Sequence, residues 1–156
     1  MRGDPAVIEA LNGILTAELT GINQYFVHAK MCENWGYRRL YKHNHDESIE
    51  EMKHADRVIG RILFLDGVPN MQRYMPVRVG ESVPEQFKLD LAMELDAVRR
   101  YNDAIALCSA KGDAGTRELL EHVLQAEEES VDWHEAQLGV IETIGAERYL
   151  AEQLKE

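Results

Sequence analysis

Apolar side chains recur at alternating three- and four-residue steps through four stretches of this chain, and the breaks between them fall at proline and glycine. The first stretch opens at Asp4-Pro5, a side-chain acceptor ahead of a proline at the first helical position, and runs to Gly36. Its inward seam reads Ile8, Leu11, Leu15, Glu18, Ile22, Tyr25, Ala29, Cys32. The second, from Tyr37 to Leu65, has the polar seam Leu40, Asn44, Glu47, Glu51, His54, Val58. From Asp66 to Ser82 the chain contains Pro69, Pro76 and two glycines without helical spacing, and is long enough to travel the length of a bundle. Ser82-Val83-Pro84-Glu85 has the form of a capping box and opens a third helix with the seam Phe87, Leu91, Glu94, Val98, Tyr101, Ile105, Cys108. After Lys111-Gly112-Asp113 a fourth carries Leu120, Val123, Glu127, Ser130, His134, Ile141 and Ile144, and Gly145 precedes a short polar C-terminal helix. The pattern predicts an all-α, four-helix bundle with one long crossover and a short fifth helix, a single domain over residues 1–156.

Helices one and three align at an offset of 76 residues, which sets Leu15 on Leu91, Glu18 on Glu94, Tyr25 on Tyr101 and Cys32 on Cys108. The same offset sets Glu51 on Glu127, and the separations Glu18–Glu51 and Glu94–Glu127 are both 33 residues. A duplicated helix pair explains both regularities. Each seam then carries a core-facing glutamate, and His54 follows Glu51 by three residues on the same face. Any one of these glutamates also reads as a solvated residue on a polar face. Four on seams, at matched spacing, read differently, because carboxylates in a low-dielectric core must share protons or bind cations. Glu-x-x-His on facing helices is the ligand pattern of di-metal bundles, and oxygen with imidazole suits iron, manganese or zinc. Tyr25 and Tyr101, seven residues beyond Glu18 and Glu94, serve either core packing or a hydrogen bond to a ligand.

Charge sharpens this picture. Seventeen basic against 28 acidic side chains give a net charge of −11, which repels phosphate and favours cations over nucleic acid or an anionic membrane. Hydrophobic residues at 45% provide for a core, while the longest apolar runs, such as Ile62–Leu65, are far short of the ~20 residues that span a bilayer. An acid and a proline stand at Asp4-Pro5, where a signal peptide needs a basic stretch and an apolar run. Cys32 and Cys108 lack metal-binding spacing and read as core thiols, so the expected location is cytoplasmic. Outward Phe26, Met31 and Trp35 call for partner surfaces.

Glu18, the run Asn23-Gln24-Tyr25-Phe26, and the stretch from His45 through Glu51-Met52-Lys53-His54 to Arg57 resemble bacterioferritin, as do Arg61–Asn70, Asp90–Leu95 and Asp132-Trp133. The resemblance covers nearly the whole chain. It implies a ferritin-like bundle, a hollow shell of identical or sibling subunits, twenty-four in all, that stores ferric mineral, and a di-iron ferroxidase site oxidising Fe2+ to Fe3+ within each bundle. By the same resemblance Glu18 and His54 are terminal ligands of one iron, Glu94 of the other, and Glu51 and Glu127 the bridges. The family's last ligand, a histidine, falls at Ser130, a degenerate position that His134 or a water could rescue. Met52 resembles the methionine that binds haem b across a twofold interface, flanked by Ile22, Asn23, Phe26 and Ile49; its place one residue after Glu51 turns it about 100° away from the metal seam. The same resemblance implies an electron-donating ferredoxin partner and an inner iron site near Asp46 and Glu50. That site is altered, because Asp46 stands where the family has a histidine, with His43 and His45 nearby. Asp113, Glu118, Glu121 and His122 read either as pore lining or as a solvated helix face.

Three functions share these residues. One is an iron-storage ferroxidase subunit; another is a haem-carrying, ferroxidase-impaired subunit that co-assembles with a catalytic sibling. A substrate-oxidising di-iron enzyme is disfavoured, because enclosing a substrate pocket needs helices that this chain has no length to form.

Overall fold

The computed structural model describes residues 1–155, and among them every regular element is helical. Helix α1 spans Pro5–Trp35, α2 Arg38–Phe64, α3 Val83–Ala110 and α4 Ala114–Ile144; α5 is Ala146–Ala151, followed by a 3-10 turn over Glu152–Leu154. The punctuation acts as the residues dictate. Asp4 accepts from the Ala6 amide at 2.7 Å with Pro5 behind it, and Gly36 closes α1 at φ 88°. Ser82 accepts from the Glu85 amide, but the Glu85 carboxylate reaches past the capping position to the Glu81 amide at 3.2 Å.

Helices α1 and α2 pack as one pair and α3 and α4 as another, with α1 lying on α3 between them. Two apolar clusters fill the interior. One, around Leu11, Leu15, Val58, Ile62, Cys108, Leu120 and Val123, occupies the end where α1 begins. The other joins Cys32, Leu40, Val83 and Phe87 to Tyr149 of α5. The last helix is thus anchored by a buried tyrosine rather than polar throughout, and Tyr149 donates to Gln137 Oε1 at 2.6 Å. Trp35 packs against the second cluster and Met31 is half-buried on Gln86, so of the three expected outward residues only Phe26 is fully exposed. The seam glutamates lie in the polar band between the clusters.

Residues 66–82 run parallel to α1 as a crossover pinned by a stripe of polar side chains at four-residue steps. Asn12 accepts from the Asn70 amide at 2.8 Å, Thr20 from Met75 at 3.0 Å, Gln24 from Arg78 at 3.1 Å and His28 Nε2 from Gly80 at 3.0 Å, while Thr16 accepts from the Arg73 side chain. These bonds satisfy an extended backbone that has no sheet partner. Both cysteines are free and buried. No helix among the described residues is long and apolar enough to cross a membrane.

Candidate metal centre

Each long helix delivers one buried glutamate to the middle of the bundle: Glu18 from α1, Glu51 from α2, Glu94 from α3 and Glu127 from α4. His54, one turn after Glu51, places Nδ1 at 3.1 Å from Glu127 Oε1, 3.5 Å from Glu18 Oε2 and 3.7 Å from Glu51 Oε1. One ligand atom from each of Glu18, Glu51, His54 and Glu127 lies within 4.8 Å of every other, a spread that a single ion with bonds of about 2 Å can bridge. Position 21 must be glycine for Glu51 to enter: a Cβ there would stand 2.6 Å from Glu51 Oε2.

The duplicated tyrosines hold the opposite repeat's glutamate. Tyr101 donates to Glu18 Oε1 at 2.6 Å, and Tyr25 donates to Glu94 Oε1 at 2.7 Å. The remaining oxygens of these two glutamates, and Oε2 of Glu127, are buried without a hydrogen bond. Orphaned buried acceptors are rare and costly, and three in one band suit a cation.

Without a cation, the cluster keeps protons. Burial pushes Glu51 and Glu94 well above the usual carboxylate range, with the charge of Glu127 adding to each. Burial and the Glu18 charge take Glu127 up to about 7. Burial works against a charged His54, but its hydrogen bond to Glu127 and the nearby Glu18 carboxylate prevail and raise it to about 10. Burial would also raise Glu18; the close approach of His54, 3.5 Å away, and of Glu51 outweighs it, so Glu18 is lowered and carries the charge that His54 balances.

Glu94 stands apart from the group of four. Its partner Tyr25 also lies 3.2 Å from Ser130 Oγ, and Ser130 donates to Glu47 Oε2 at 3.4 Å. His134 does not turn into the gap beside Ser130. Its Nδ1 donates to the Ser130 carbonyl one turn back at 2.7 Å, and Nε2 faces Asp90 Oδ2 at 4.0 Å, so the ring is held on the far side of that turn. Asp90 is itself engaged by His28 Nδ1 at 2.9 Å and Gln24 Nε2 at 2.9 Å.

A cavity of about 350 Å³ opens between α2 and α4 at this position, lined by His43, Glu47, Ser130 and Trp133 among others. His43 stacks on Trp133 with ring centroids 3.5 Å apart and planes 11° from parallel; its Nε2, 4.0 Å from Glu47 Oε1, has no hydrogen bond. Burial, reinforced by His134, pulls His43 down to about 3, and burial with the Glu94 charge pushes Glu47 up to about 7. The second seam already contains Glu47; His43, one turn before it and off that seam, is expected from the sequence beside an inner-surface iron site near Asp46, and the structure places it in this cavity instead.

On the outer face, Met52 is 51% exposed beside Phe26 at 52% and Ile49 at 36%. The Ser48 hydroxyl donates to the Ile22 carbonyl at 2.8 Å and ties α1 to α2 on this face. Asp46 and Glu50 pair with Lys42 and Lys53 in solvent. Asp113 is not a free pore acid: it caps α4 through the Thr116 amide and pairs with Arg61 at 3.1 Å. Glu118 and His122 are exposed, and Glu121 meets Arg117 at 3.6 Å.

A four-helix bundle with a parallel crossover and a carboxylate–histidine core defines the ferritin-like class, and the family model of the ferritin-like domain matches residues 8–144. The chain is 46% identical over 152 residues to a bacterioferritin of Mycolicibacterium paratuberculosis, covering 97% of this chain and 96% of that protein. A bacterioferritin of Streptomyces coelicolor is 46% identical over 156 residues, covering 100% and 93%, and one of Brucella melitensis is 44% identical over 149 residues, covering 96% and 92%. The chain belongs to the bacterioferritin family.

Proposed function

We propose that this chain is an iron-storage subunit whose bundle binds Fe2+ and oxidises it at a ferroxidase site with one strong and one weakened half. The observation that carries this reading is the convergence of Glu18, Glu51, His54 and Glu127 on a space that one ion fills, with orphaned buried oxygens around it. In this reading Glu18 and His54 hold the first iron, Glu51 and Glu127 bridge, and Glu94 begins the second half, where Ser130 cannot supply the missing nitrogen. The tyrosines keep Glu18 and Glu94 aimed, and protons resident on Glu51, Glu94 and Glu127 leave as Fe2+ enters. Electrons pass from the irons to dioxygen or peroxide, and the ferric product moves into the cavity of an assembled shell. Family membership supports that shell, as does the exposed apolar surface of each subunit.

Rapid mixing of Fe2+ with the assembled protein, at two irons per subunit and followed in the near ultraviolet, tests the reading. Ser130→His should raise the initial oxidation rate about tenfold or more, which corresponds to about 1.4 kcal/mol of barrier. An unchanged rate would overturn the weakened second half.

The position of Glu94 outside the group of four favours a second reading, in which the chain co-assembles with a catalytic sibling and contributes haem. Met52 would hold a haem b shared with a second subunit through its exposed thioether, with the exposed Phe26 and Ile49 on the same subunit available to flank it. Such a haem supplies one-electron transfer to the stored mineral, with a ferredoxin as an electron donor. Met52→Leu should abolish the haem absorbance of the purified protein; haem retained at full stoichiometry would rule Met52 out as its ligand. Under this reading the homo-oligomer oxidises Fe2+ no faster than buffer, and adding the sibling restores the rate.

A further inference from the structure

We infer that His43 and Glu47 of α2 replace the ligand missing at position 130, so that the second cation sits displaced into the α2–α4 cavity, held by His43 and Glu47, with Glu94 linked to them through Tyr25 and Ser130. This rests on the metal-site reading of the Glu18, Glu51, His54 and Glu127 group. Three observations converge on the place. His43 Nε2 is buried and without a hydrogen bond, and it lies 4.0 Å from Glu47 Oε1, a separation that two ligands of one ion span with bonds of about 2 Å. Glu94, 1% exposed, has one oxygen on Tyr25 and the other without a partner; the same Tyr25 hydroxyl meets Ser130 Oγ, which in turn bonds Glu47. Beside His43, Glu47 and Ser130 is space that a histidine at 130 would partly fill and a serine leaves open, about 350 Å³.

The stack on Trp133 suits His43 to the task. Parallel rings 3.5 Å apart fix the imidazole through its faces, while the Nε2 lone pair lies in the ring plane and stays available. A ligand held this way is oriented without using its donor atom. The nitrogen donor thus comes from α2 instead of α4. The second cation then meets one imidazole and the Glu47 carboxylate on the α2 side of the cavity. Two irons so placed bind without being closely paired, which slows their joint reaction with an oxidant; restoring a histidine at 130 draws the second one back.

Cobalt titration of the assembled, metal-free protein separates the possibilities without any turnover. With Trp35→Phe as background, Trp133 is the remaining indole and reports quenching by an ion beside His43. The expected result is two Co2+ per subunit, one tight and a second that binds more weakly and quenches Trp133. His43→Ala should remove the quenching phase and one Co2+ while leaving the other, and Ser130→His added to His43→Ala should bring the second Co2+ back. That rescue distinguishes a lost ligand from a damaged fold. A single Co2+ in the parent protein, or two retained within threefold of the parent affinity in His43→Ala/Glu47→Gln, overturns the displaced site and leaves the first one standing. No Co2+ bound within the bundle overturns the metal-site reading itself.

Discussion

At Gly21 the α1 backbone comes so close to α2 that a single methyl group would meet Glu51 Oε2 at 2.6 Å. The obstructed atom is the end of a flexible side chain, so the fold can adapt while the carboxylate moves. Alanine in mid-helix is also favoured over glycine by up to about 1 kcal/mol. Gly21→Ala is therefore expected to unfold at the parent temperature or slightly above it, yet to bind its first Co2+ about tenfold more weakly, because Glu51 no longer reaches the group it forms with Glu18, His54 and Glu127. Calorimetry and metal titration on the same sample check both halves, and an unchanged affinity would show that Glu51 is not held by this approach. The same scale explains His134. Leaning toward the N-terminus, as helical side chains do, it meets its own Ser130 carbonyl at 2.7 Å before it can reach the space beside the Ser130 side chain.

Among the elements, the crossover depends on α1 more than on any packing of its own. Thr20 Oγ1 donates to the Thr16 carbonyl at 2.8 Å and accepts from the Met75 amide at 3.0 Å. Thr20→Val keeps the shape and removes the acceptor, which leaves a partly buried amide unpaired at a cost of about 1–3 kcal/mol. Amide exchange should accelerate around Met75 while α2 and α4 stay protected; unchanged exchange would mean that the stripe does not hold the segment. The helices themselves were legible, because seams such as Leu11, Leu15, Glu18 or Val123, Glu127, Ser130 repeat with the period of the elements they form. The core glutamates could be read for the same reason, with the 76-residue offset adding a second line. The role of Asn12, Thr16, Thr20, Gln24 and His28 was not, since polar residues at four-residue steps also describe a solvated face, and the backbone amides they bind leave no trace in the sequence. His43 could be read only as a neighbour of Asp46, because its stacking partner, Trp133, lies ninety residues away on another helix.

For the whole molecule, the buried band makes stability depend on pH and on cations together. Glu127 is raised from 4.5 to about 7, and Glu51 and Glu94 rise well above 4.5, so the folded metal-free protein holds protons that the unfolded chain releases. Stability from these groups is full below about 4.5 and falls as pH climbs through 7. His54, raised from 6.5 to about 10, acts in the same direction between those values, while the lowered Glu18, His43, taken from 6.5 down to about 3, and the lowered His134 oppose them. The melting temperature of the metal-free protein should therefore fall between pH 5 and pH 8, and a divalent cation added at pH 8 should recover it with release of protons; a melting temperature that rises over that interval would contradict the assignment. The most direct measurement is diffraction at the iron absorption edge from crystals soaked anaerobically in Fe2+. Anomalous density is expected inside each bundle, between Glu18, Glu51, His54 and Glu127, and density confined to the subunit surface, with none among those four side chains, would contradict an iron site in this core.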